Sequence, residues 1–163
     1  MRYFLIFFTS LIVLMYGCGG EKKDQDPRDK LDERTKVRLR QYMAEGERLY
    51  TLHCSNCHQP EGIGLARLYP PLKGSDYLKK NTQDVICGIK YGQSGEIYVN
   101  GIMFDQEMPA NLLLTDLEIA EISTYVYNQF ADSVVIITLN DVRKILEKCD
   151  KDTVKTTVSG PKL

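Results

Sequence analysis

His53-Cys54-Ser55-Asn56-Cys57-His58-Gln59 sets two cysteines three apart, with a histidine directly after the second. Three chemistries use a C-x-x-C spacing: structural zinc, a redox dithiol and covalently attached haem. Structural zinc needs four ligands, usually from a second such pair, and the 163-residue chain has two histidines and no second C-x-x-C or H-x-x-x-H. A thioredoxin-like dithiol opens a helix after a strand, and nothing before Tyr50 reads as that setting. On a helix, Cys54, Cys57 and His58 are i, i+3 and i+4, so two thiols and one imidazole project from one face within about one turn. A porphyrin matches that face: the thiols add to two vinyl groups at one edge while the imidazole reaches the iron. Cys54 and Cys57 are the expected attachment points and His58 the first axial ligand.

Outward from this stretch the chain reads as helical. Val37, Leu39, Tyr42, Met43, Gly46, Leu49, Tyr50 and Leu52 recur at three- and four-residue steps and predict a helix running into the motif. Gly62, Gly64, Pro70, Pro71 and Gly74 mark a loop from Gln59 to about Asn81. A short helix is expected over Thr82–Lys90, capped by Asn81 or Thr82, followed by a second loop to Leu114. Thr115-Asp116-Leu117-Glu118 is a capping box that opens a helix to about Phe130. Thr138-Leu139-Asn140-Asp141 repeats it weakly before a last helix to about Lys148. Val134–Ile137 are expected to be briefly extended, and residues 150–163 to fray.

The second axial ligand follows by elimination. No other histidine is available, Met1 and Met15 lie in the apolar N-terminal run, and Met43 lies on the helix leading into the motif. Of Met103 and Met108, the latter precedes Pro109, which stiffens a loop that must hold a weak thioether. Met108 is the expected ligand, and Met103 is expected to pack on the haem edge.

Arg2 followed by Tyr3–Phe8 and Leu11–Leu14 reads as an export signal, shorter than a spanning helix. It ends at Gly17-Cys18, which resembles a bacterial lipoprotein cleavage box with a lipidated Cys18. Residues 18–33 read as the lipidated cysteine and a stretch whose alternating charges around Gly and Pro bury too little surface to fold, either a flexible tether or a disordered N-terminus with no role. The expected organisation is 1–17 signal, 18–33 tether, 34–131 haem domain and 132–163 a C-terminal extension. A net charge of −1 gives no basic face for nucleic acid.

Gly46 and Tyr50 before CSNCH, Pro70-Pro71-Leu72 after it, Val99-Asn100-Gly101, Met108-Pro109 and the helix LTDLEIAEISTYVYNQF together resemble small class I cytochromes c with one haem. The resemblance covers Tyr42 to Phe130 and implies an all-α fold around one covalent haem c. It implies that the first and last core helices cross at Gly46, with Ala120 and Tyr125 opposite. It also implies that the Pro70 carbonyl, with Pro71 as alternative, accepts a hydrogen bond from His58 Nδ1. Gln59 departs from the glycine common in that family. Cys87 and Cys149 are additional. They could form a disulfide, or Cys87 could be a small buried hydrophobe and Cys149 a tail thiol; the second is the expectation here.

The reading is an electron carrier rather than an enzyme, exported to the periplasmic side of a bacterial membrane and exchanging electrons with redox protein partners of a respiratory chain. Its rivals are an electron-delivery subunit of a reductase or oxidase complex, and an open-iron peroxidase or sensor. Tyr69, Tyr77, Tyr91 and Tyr98 are candidates for propionate hydrogen bonds, with packing as their default use.

Overall fold

A computed structural model describes residues 26–149. The chain divides into two units, Met1–Lys30 and Leu31–Leu163. Of the first, the described part is a single 3-10 turn, Pro27–Lys30. The expected signal, Cys18 and residues 150–163 lie outside the described residues. No helix among the described residues is long and apolar enough to cross a membrane.

The second unit opens with α1, Glu33–His53, whose N-cap Asp32 accepts from the amides of Arg34 and Thr35. The chain continues through α2 (Ser55–His58), α3 (Asp76–Lys80) and α4 (Thr82–Tyr91). A hairpin of β1 (Ile97–Val99) and β2 (Ile102–Phe104) follows, then α5 (Asp116–Phe130) and α6 (Leu139–Leu146). The fold is mostly helical, as expected, but not wholly. Asn100 and Gly101 hold φ of 52° and 77°, the geometry of a two-residue type I′ turn, and pair Val99 with Ile102. α3 is a further difference from the expected loop. Ser75 caps it by accepting from the Leu78 amide at 3.2 Å, and Asn100 ties it to the hairpin through Asp76 at 2.7 and 3.0 Å.

The core lies where α1 crosses α5. Leu49 and Tyr50 meet Ile119, Ile122, Val126 and Phe130, all buried. Gly46 permits the approach: a Cβ there would collide with the Glu121 carbonyl and lie 2.7 Å from Tyr125 Cβ. Glu121, not Ala120, is therefore the residue facing Gly46 beside Tyr125. Tyr50, Tyr125 and Phe130 pack ring on ring with centroids 5.3 to 5.8 Å apart, a geometry that adds to the area they bury.

The segment after α5 is part of this core. Ile137 and Val142 are buried. Val135–Ile137 forms no strand, because its backbone is satisfied by side chains of α5. Thr124 Oγ1 accepts from the Ile137 amide at 3.0 Å, and Asn128 Nδ2 donates to the Val135 carbonyl at 2.6 Å. Cys149 forms a disulfide with Cys87 of α4, their Cα atoms 5.9 Å apart. This corrects the expectation of two separate thiols: the fold of α6 back onto α4 brings together residues 62 positions apart.

Candidate functional site

Cys54 is the junction between α1 and α2, with φ −120° and ψ −34°. Its amide still donates to the Tyr50 carbonyl at 2.8 Å, and its carbonyl accepts from the His58 amide at 3.0 Å. The turn therefore carries Cys54, Cys57 and His58 as one helical group across a local break. The loop behind is fixed by the Tyr50 hydroxyl, which donates to the Gln59 carbonyl at 2.6 Å, and by the Gly64 amide, which donates to the His58 carbonyl at 3.0 Å.

Pro70 O lies 3.0 Å from His58 Nδ1. A carbonyl only accepts, so Nδ1 carries the proton and Nε2 keeps its lone pair. Burial pushes the His58 pKa below the ordinary 6.5, opposed by the Pro70 contact. The ring is neutral at neutral pH and able to ligate a metal. Burial, with Cys57 as a smaller cause, pushes the Cys54 thiol up to about 12. Burial also pushes the Tyr77 hydroxyl up to about 12.

His58 lines an open cleft. Its wall is mainly apolar: Leu72, Leu78, Val85, Ile89, Ile97, Val99, Ile122 and Val126. Cys54, His58, Pro70 and Met108 all line it. Cys57 is half-buried next to the Tyr69 hydroxyl, whose pKa it raises. Met103 is on β2, 46% exposed and off the cleft wall. Of the four tyrosines considered for propionates, Tyr77 lines the cleft and Tyr69, Tyr91 and Tyr98 do not.

Sequence reasoning did not single out Asp84 and Gln93, which also line the cleft. An acidic residue in a first helical turn reads as a partner of the helix dipole, so Asp84 carries no separate signal. Gln93 and Met108 exchange backbone hydrogen bonds at 2.8 and 2.9 Å, a pairing across fifteen positions that no local pattern announces.

An imidazole with its Nδ1 proton engaged, a thioether and the Cys54 thiol line one apolar cleft, with Cys57 on the same turn as Cys54, and these residues fit a covalently held haem. Among known proteins, the family model described as Cytochrome c matches residues 43–129. A cytochrome c-552 of Thermus thermophilus is 29% identical over 114 residues, 64% of this chain and 86% of that protein. The cytochrome subunit of a fructose dehydrogenase from Gluconobacter japonicus is 30% identical over 105 residues, 62% of this chain but 22% of that protein. The chain belongs to the cytochrome c family. It is a haem electron-transfer protein with covalently bound haem c and with redox partners.

Proposed function

We propose that this chain is a single-haem electron carrier in which Cys54 and Cys57 form the thioethers and His58 and Met108 hold the iron. The observation that carries this reading is that His58 and Met108 line one apolar cleft while His58 Nδ1 is engaged by Pro70 O at 3.0 Å. The haem supplies a one-electron couple at its iron. Pro70 keeps the His58 ring in one tautomer and orientation. Met108 would offer the iron a thioether, which would favour the ferrous state and raise the potential. The cleft wall excludes water and lowers the local dielectric constant, which also tunes the potential. With His58 and Met108 both holding the iron, peroxide or carbon monoxide would have to displace Met108 to bind, which favours a carrier over an open-iron enzyme or sensor.

The carrier is lipid-anchored through Cys18 on the periplasmic side of a bacterial membrane and serves partners of a respiratory chain. The apolar run ending at Gly17-Cys18 supports the anchor. The Cys87–Cys149 disulfide supports export to an oxidising compartment. Similarity to a dehydrogenase's cytochrome subunit favours a second reading, in which the chain delivers electrons within an enzyme complex.

Intact mass of the native protein should show cleavage before Cys18, added lipid and one haem that survives denaturation. In the holoprotein, Met108→Ala should abolish the weak red absorption of thioether-ligated ferric haem, and Met103→Leu should retain it. A haem removed by acid solvent, or the reverse behaviour of the two variants, would sink the assignment.

A further inference from the structure

Lys90 stands in the last turn of α4. Its Nζ donates to the carbonyls of Leu112 at 2.9 Å and Leu114 at 2.5 Å. Its own carbonyl accepts from the Asn111 amide at 3.2 Å. These three bonds fasten residues 111–114 to the C-terminal end of α4, where a cation also suits the helix dipole. A second fastening holds Met108 itself, whose amide and carbonyl pair with Gln93 at 2.8 and 2.9 Å. Gly92 makes that pairing possible with φ +83°, since a Cβ there would lie 2.7 Å from the Met108 carbonyl oxygen. Met108 is thus bracketed by two attachments to one end of one helix.

Burial does little to hold the downstream arm. Pro109 and Ala110 are exposed, as are Leu112 and Leu113 at 63% and 94%, and the next buried residue is Leu114. The side-chain links from helix to arm are the Lys90 ammonium on two carbonyls and a 3.3 Å contact between Asn111 Nδ2 and His53 Nδ1 of α1, beside the backbone bond from Asn111 to Lys90. We propose that Lys90 is a positioning residue for Met108, clamping the loop shut so that the thioether resists displacement. The inference rests on the reading of Met108 as an axial ligand. An external ligand binds only when the loop is open, so its apparent affinity scales with the open fraction. Losing two charge-assisted hydrogen bonds raises that fraction.

The test uses ferric holoprotein and imidazole as the probe, in wild type, Lys90→Met, Lys90→Gln and Lys90→Arg. The Met and Gln variants keep most of the stem and lose the cation; Arg keeps a cationic donor. Both neutral variants should bind imidazole about tenfold more tightly or better, while far-UV dichroism and covalent haem stay unchanged. The amides of Asn111 and Leu114 should exchange faster with solvent, and Lys90→Arg should restore both readouts toward wild type. With the thioether band present in wild type, unchanged imidazole affinity and amide exchange in both neutral variants overturn the clamp. A wild type that lacks the band overturns instead the Met108 reading on which the clamp rests.

Discussion

Gln59 sits at φ +64° and ψ +154°, a region glycine enters freely and other residues rarely. The chain needs that turn to leave His58, and it is held by the Gln59 amide on the Ser55 carbonyl at 2.9 Å and the Tyr50 hydroxyl on the Gln59 carbonyl. The side chain returns little, its longest reach being a 3.4 Å contact to the Asn56 carbonyl. Gln59→Gly should therefore stabilise the protein by about 1 kcal/mol, read as a higher urea midpoint. An unchanged or lower midpoint would mean that the side chain offsets its backbone strain. The sequence displayed this position as a missing glycine but not its dihedral angles, so the strain was invisible there. Met108, the candidate ligand that the neighbouring Pro109 singles out in the sequence, lies on the cleft wall. The disulfide was not legible, because a separation of 62 residues carries no distance.

Local chemistry made some elements readable to the residue. Thr115 accepts from the Glu118 amide while the Glu118 carboxylate accepts from the Thr115 amide at 2.7 Å, and α5 begins and ends where the capping box and apolar stripe placed it. Thr115→Ala should cost about 1 kcal/mol. The Thr115 amide, followed by its hydroxyl, holds the Glu118 carboxyl below its ordinary 4.5. The folded state thus favours the carboxylate, so its stabilisation is present above 4.5 and lost as pH falls through the lowered folded value. Urea midpoints of wild type and Glu118→Gln should converge as pH falls through that range, because a protonated Glu118 loses the charge that the Thr115 amide favours; a gap constant with pH would mean that the Glu118 charge has no part in the cap. The hairpin was equally legible in principle. Asn-Gly between Val99 and Ile102 is a strong local signal, set in a loop with few alternating residues to mark the strands on either side. α3 had weaker warning, since five residues between a serine cap and Asn81 show no periodicity.

At the scale of the whole molecule, residues 132–149 complete the fold rather than trail from it. Thr124 and Asn128, polar yet buried on α5, receive that segment, and the disulfide closes it onto α4. A cross-link spanning 62 residues should stabilise by about 4 kcal/mol through the entropy of the unfolded chain. Cys149→Ser should lower the urea midpoint accordingly while leaving the covalent haem in place; a midpoint equal to wild type would mean that the noncovalent docking of α6 suffices. The contacts that seat this extension depend on tertiary partners, so the sequence offered only its cap at Thr138.

The same disulfide sets a problem for biosynthesis. On the proposed assignment, Cys54 and Cys57 must stay reduced until they add to the vinyl groups of haem, whereas Cys87 and Cys149 must be oxidised to their disulfide. Four cysteines allow three pairings, and the close pair closes fastest because its loop is shortest. Cys149 is also translated last, so its partner waits while the close pair is already exposed. Correct maturation therefore requires an order of events: a reductant that defends the first pair, and an oxidation of the second that does not touch it.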